Sequence, residues 1–282
     1  MLQVHPSPAL RNPVLIAAFE GWNDAGDAAS RAVSHLVDLW AAEEFAEMDP
    51  EDYYDYQVNR PDVSIEDGKR VYTWPSTRFL LATRAGLARD VVLVQGIEPS
   101  TRWKQFAAEF VGVAQQLGVT TIITLGAMLT DVPHTRPLPV SASSDDPGLP
   151  DRFHASPSAY EGPTGIVGIV AAEASREGIP TVGAWVAVPH YAGGPPAPKA
   201  ALALVAYLED ALGVSIPHAG LEEDAREWEQ SVDALAREEE DVAEYVSSLE
   251  QQRDAAELPE GSGDAIAKEF ERYLKGRDDE RP

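Results

Sequence analysis

The sequence predicts an α/β fold, a mixed sheet flanked by helices, with a long helical segment at its C-terminal end. Three observations carry this reading. Short apolar runs bounded by Gly and polar turns fit buried strands. Apolar residues at helical spacing between those runs fit packed helices. After Pro217 the chain changes to an acidic stretch with apolar residues seven apart. At 282 residues the chain can bury a full core. Residues 1–219 are expected to form one α/β domain, with residues 220–282 as its acidic helical appendage.

The first strand is the apolar run 14–19. It ends in Glu20-Gly21-Trp22-Asn23-Asp24-Ala25-Gly26, a tight loop in which Gly21 and Gly26 permit positive φ or close backbone approach. Asn23 or Asp24 can cap the helix that follows, at about residues 26–40. Residues 43–49 read as a strand. From Asp55 to Trp74 the chain breaks into short extended pieces, and Asp67-Gly68 between Val63, Ile65, Val71 and Tyr72 is a hairpin signal. Strands at 79–83 and 91–95 precede a helix over 102–117 that ends at Gly118, and the next strand, 120–125, stops at Gly126. Between Thr130 and Pro163, Pro133, Pro137, Pro139, Pro147, Pro150, Pro157 and Pro163 exclude long regular elements, so this stretch is expected to be a functional loop or an interface arm. A helix at 165–177, a strand at 181–188 and a helix at 197–212 complete the core.

Beyond Pro217, Leu221, Trp228, Leu235, Val242 and Leu249 recur at heptad spacing, with Ala225, Val232 and Val246 at the alternate seam positions. This predicts one continuous helix whose seam is buried against its own core or another chain. Residues 257–263 read as a turn into a last short helix at 264–274.

Composition narrows the function. With 47 acidic and 22 basic residues the net charge is −25, which repels phosphate backbones and anionic lipid, so neither nucleic acid nor membrane is expected as a partner. Residues 219–282 hold 21 acidic and 8 basic residues, against 26 and 14 in the rest. No run is long and apolar enough for a membrane span, and no signal segment is evident, so a cytoplasmic protein is expected. The absence of cysteine excludes disulfides, thiolate catalysis and Cys-based metal sites. No metal spacing, cofactor fingerprint or nucleophile elbow is present.

Loops 20–26, 126–134 and 188–191 each follow a strand and are expected to meet at the carboxyl edge of the sheet, where open α/β folds take ligands. They offer Glu20, Asn23, Asp24, Gly126, Asp131, His134 and His190 as ligand-binding candidates. A carboxylate beside a histidine orients the ring and raises its basicity, as proton transfer requires. Thr164 and Gly165, in the turn before a helix, can cap it or present amides to an anion. Every one of these residue types also serves a plain cap or turn, and no catalytic residue is assigned. Arg102 and Arg136 are the nearby candidates for holding a phosphate. The acidic cluster at 43–55, interleaved with Tyr53, Tyr54 and Tyr56, reads as a solvated rim or a docking surface for a basic partner.

Glu20-Gly21-Trp22-Asn23-Asp24-Ala25-Gly26, followed in order by Gly126, Gly162-Pro163-Thr164-Gly165, Pro189-His190-Tyr191 and Pro195-Pro196-Ala197-Pro198-Lys199, resembles the PAC2 (proteasome assembly chaperone 2) family in its bacterial branch. The resemblance implies a phosphorylase/hydrolase-like core and a homo-oligomer, with a trimer expected. For some members it implies a role in proteasome assembly. Two functions are therefore open: an oligomeric interaction module with proteasome subunits among its partners, or a nucleoside phosphorylase/hydrolase-like enzyme or small-molecule binder using the strand-end crevice. Some proteasome-directed members end in a hydrophobic residue, Tyr and one final residue. This sequence ends Asp279-Glu280-Arg281-Pro282. Proteasome contact is thus expected through the core surface or the helical segment.

Overall fold

The computed structural model describes residues 3–4, 9–83, 88–149, 151–192, 194 and 196–257. The strands are β1 (Gln3–Val4), β2 (Val14–Glu20), β3 (Glu43–Met48), β4 (Asp62–Glu66), β5 (Lys69–Thr73), β6 (Thr77–Ala82), β7 (Val91–Ile97), β8 (Thr121–Thr130), β9 (Val140–Ser143), β10 (Ala155–Ser156) and β11 (Thr181–Pro189). The helices are α1 (Ala28–Trp40), α2 (Trp103–Gln116), α3 (Ile166–Arg176), α4 (Pro198–Leu212), α5 (Leu221–Glu238) and α6 (Glu240–Glu257).

Among the described residues, nine strands form one mixed sheet in the order β1-β3-β6-β7-β2-β8-β11-β9-β10, with β7, β2, β8 and β11 mutually parallel at its centre. The central strands read as continuous apolar runs because both faces are covered. Val14, Ile16 and Ala18 of β2 pack with α1 and α4, whereas Leu15, Ala17 and Phe19 pack with α2 and α3. Aromatic residues thicken the second layer, where Phe19 meets Phe106 edge-on at 5.8 Å and Tyr53 meets Phe106 at 5.2 Å. Tyr53 and Tyr54 thus belong to the core rather than to an acidic docking rim, and the Tyr54 hydroxyl is bound to Thr77 and to the Ile97 carbonyl.

The proline-rich stretch is more ordered than expected. Its prolines flank residues 140–143 rather than interrupt them, and β9 pairs antiparallel with β11 at the sheet's far side. The predicted hairpin forms as β4–β5, a separate two-stranded ribbon, with Asp67 (φ 50°) and Gly68 (φ 75°) in the left-handed region its tight turn requires.

The C-terminal segment differs from the continuous helix expected. Glu239 is extended (φ −120°, ψ 108°), so α5 ends at Glu238 and α6 begins at Glu240. Four consecutive acids, Glu238 to Asp241, weaken any helix through them by mutual repulsion. The break also lets α6 turn against the core. The heptad register fails within α5 as well. Leu221, Ala225, Val232 and Ala236 are buried and Trp228 packs beside them, while Leu235 is 41% exposed. A straight helix lying on a globular surface keeps 3.6 residues per turn and drifts away from a strict seven-residue repeat. The short helix expected at 264–274, with the turn before it, lies outside the described residues. Among the described residues, no helix is long and apolar enough to cross a membrane.

Candidate functional site

The carboxyl ends of the parallel strands hold two polar clusters. The first is built on the loop after β2. Gly21 turns the chain at φ 108° and Asn23 is driven into the interior, with no exposed surface. Its carbonyl accepts from Ala127 N–H at 2.8 Å, tying the loop to β8. Its Nδ2 donates to Glu98 Oε1 at 2.7 Å, and the same oxygen accepts from Ile166 N–H at 2.8 Å. The Glu98 carboxylate therefore caps α3 and holds Asn23 at once, in favourable alignment with the helix dipole. Among the described residues Asn23 Oδ1 has no hydrogen-bond partner, and it faces Gly165, where a Cβ would stand 2.0 Å away. Asp24 caps α1, accepting from Ala29 N–H at 2.6 Å and Ser30 N–H at 3.2 Å. Burial raises the Asp24 carboxyl above its ordinary value, against these hydrogen bonds, which lower it. Desolvation also raises Glu20, reinforced by Asp24 and Asp27.

The second cluster fastens α5 and α6 to the core. His134 is 1% exposed, and its Nδ1 lies 2.8 Å from the Tyr191 hydroxyl and its Nε2 3.0 Å from Asp233 of α5. Tyr191 also accepts from the His134 backbone N–H, so its own proton is free to go to Nδ1, leaving Nε2–H to donate to Asp233. Burial pushes the Tyr191 hydroxyl up to about 12, which keeps it a neutral donor. Lys199 donates to the His134 carbonyl and pairs with Glu229 at 2.7 Å. His190 sits 3.3 Å from Asp131, which also accepts from Tyr245 of α6 at 2.9 Å. Arg136 grips α6 through Glu250 and Asp254.

The candidates thus divide. Asn23, Asp24 and Gly165 gather around Glu98, while Asp131, His134 and His190 gather around Tyr191 and Tyr245. Among the described residues, no hydrogen bond or ion pair joins Asn23 or Glu98 to either histidine. Gly126 lies beneath the Trp185 ring, where a Cβ would stand 2.6–2.7 Å from its carbons. Thr164 and Gly165 line a groove of 1250 Å³ between α3 and strands β8, β11 and β9, together with Trp185, Ser141 and Ser143. Sequence reasoning missed Glu98 and this groove. The available signals were Glu98 itself, directly after the parallel strand β7, and Ser141 and Ser143 at alternate positions of β9. Among the described residues, no group of three His, Asp or Glu side chains converges as a metal ion requires. The His190–Asp131 pair is open to solvent. The His134 network is closed and joins helices.

The sequence profile of the PAC2 family matches residues 18–236. A PAC2 family protein from Streptomyces avermitilis is 53% identical, its structure superposing with a TM-score of 0.78 over 83% of this chain and 99% of its own. A proteasome-assembly chaperone homologue from Mycobacterium tuberculosis is 46% identical over 83% of this chain and 99% of its own, with a TM-score of 0.75. An archaeal proteasome activator from Pyrococcus furiosus, 19% identical, shares the fold, with a TM-score of 0.68 over 83% of this chain and 98% of its own. Comparison with curated proteins finds no match.

Proposed function

The chain belongs to the PAC2 family, and from that premise we propose that it is a proteasome-assembly-chaperone-like interaction module, a cytoplasmic homotrimer that binds proteasome subunits. One observation carries the choice of binding over reaction: the His134 ring and both guanidiniums that could hold a phosphate are engaged in joining elements of the fold. His134 is shut between Tyr191 and Asp233. Arg136 is paired with Glu250 and Asp254, and Arg102 with Asp52. A phosphate-cradling guanidinium would have to leave its carboxylate first. The 46% identity to a proteasome-assembly chaperone homologue supports the same reading.

Static light scattering of the full chain is expected to give three times its 30.5 kDa. Added to separately purified proteasome α- and β-subunits from the same cells, the chain is expected to bind them and to speed the appearance of assembled particles on native gels. An unchanged assembly rate with no subunit bound defeats the proposal. The groove beside Thr164 and Gly165 favours a second reading, a small-molecule binder or phosphorylase/hydrolase-like enzyme. Saturable binding of a nucleoside or of inorganic phosphate, lost on Thr164→Ala, would support it.

A further inference from the structure

Among the described residues, nothing covers the apolar face of the β4–β5 hairpin. Cross-strand register places Val63 opposite Tyr72 and Ile65 opposite Arg70, so Val63, Ile65, Arg70, Tyr72 and Trp74 share one face, and Ser64, Glu66 and Lys69 the other. Val63, Ile65 and Tyr72 are 54%, 75% and 57% exposed, while Trp74 is anchored at the base by an edge-on contact with Tyr56 at 4.9 Å. A two-stranded ribbon is marginal in water on its own, and apolar surface this extended marks a contact.

Charge indicates which contact. The chain carries −25, yet residues 60–74 are neutral, with Arg60, Lys69 and Arg70 balancing Asp62, Glu66 and Asp67. A second copy, repelled elsewhere, can approach here. The complementary surface lies on the same chain. The groove between α3 and β9 is floored by Trp185 and Met128, walled by Ala171 and Val167, and includes Asp145 and Asp146. Among the described residues no other acidic side chain lines it, and Arg70 is the charge on the ribbon's apolar face. Strand order keeps the two apart within one molecule. The ribbon emerges between β3 and β6, and β7, β2 and β8 separate β6 from β11, a span of about 20 Å at the usual strand spacing. A contact joining one side of the sheet to the other side of a neighbour is head-to-tail, the kind that closes rings.

We propose that the β4–β5 ribbon is an assembly arm whose apolar face seats in the α3–β9 groove of a second copy of this chain, with Arg70 meeting Asp145 and Asp146. The inference rests on the oligomeric reading above and names the surfaces that produce it. The test compares the full chain with a variant carrying Val63→Ser, Ile65→Ser and Tyr72→Ser, by light scattering at equal micromolar concentration. The variant is expected to fall to the mass of one chain while keeping its circular dichroism, since all three side chains are exposed in the single chain. The chain has no cysteine, so single-cysteine variants report contacts cleanly. Ile65→Cys mixed with Ser143→Cys is expected to form a disulfide-linked pair under mild oxidation, and neither variant alone. A monomeric wild type overturns this inference and the oligomeric reading together. An oligomeric wild type whose triple variant keeps its mass overturns the inference alone. Loss of proteasome-subunit binding by the triple variant with its mass retained makes another protein the occupant, and overturns it too. Ile65→Cys chains linking to one another, or no link between the unlike pair, overturns the groove as the seat.

Discussion

Gly165→Ala is expected to be among the most damaging single-methyl additions in this protein, although its backbone, extended at φ −92° and ψ −177°, suits alanine. The new Cβ would stand 2.0 Å from Asn23 Oδ1 and 2.7 Å from its Cγ and Nδ2. Carbon and oxygen ordinarily approach no closer than about 3.3 Å. The amide cannot swing away freely, because Asn23 is wholly buried and its Nδ2 is held 2.7 Å from Glu98. Making room breaks a hydrogen bond to a carboxylate, worth about 1.5–3 kcal/mol, and adds overpacking strain of about 1–3 kcal/mol. A loss of about 3–5 kcal/mol follows. Urea unfolding followed by circular dichroism reads it as a lower midpoint at unchanged slope. Asn23→Ala removes all three clashing atoms. In the Asn23→Ala background the alanine at 165 is therefore expected to cost at least 1 kcal/mol less than alone, a coupling of about the size found for residues in contact. A single-variant loss below about 1 kcal/mol, or strict additivity in the double variant, refutes the reasoning.

Two further outcomes concern the C-terminal helices. Trp228 packs on the core beside α4 and lies edge-on to His134 at 6.4 Å; because it is only half-buried, Trp228→Ala is expected to cost about 2–3 kcal/mol in denaturant unfolding, at or below the low end for aromatic truncation, and a loss under about 0.5 kcal/mol would make it a surface residue. His218 is lowered by burial but raised more by its hydrogen bonds to Glu222 at 3.0 Å and Glu209 at 2.9 Å, so its folded value stands above the ordinary 6.5. A raised histidine contributes stability that is full below its unfolded value and is lost as pH rises through the folded one. His218→Gln is therefore expected to melt lower than wild type at pH 5.5, with the gap narrowing by pH 8. A gap independent of pH would show that the imidazolium adds nothing.

Local order was legible in the sequence because it depends on neighbours along the chain. The buried run of β2, the Asp67-Gly68 turn and the caps of α1 each follow from a few adjacent residues whose periodicity or backbone preference allows little else. Gly126 and Gly165 were legible as special positions. The reasons, an indole lying over one and an amide packed on the other, were not. Pairings over long stretches of chain belonged to the tertiary structure alone. His134 finds Asp233 across 99 residues and Asn23 finds Glu98 across 75. The order of parallel strands decides which loops become neighbours, and composition does not encode that order. Tertiary packing likewise settled the helix after Pro217. Its sequence shows a heptad repeat, but a helix laid on a globular core drifts at 3.6 residues per turn and yields at its most charged point, where α6 gains contacts with Arg136 and Asp131. Periodicity is a property of the segment, whereas the partner that a face meets is set by elements far away in the chain.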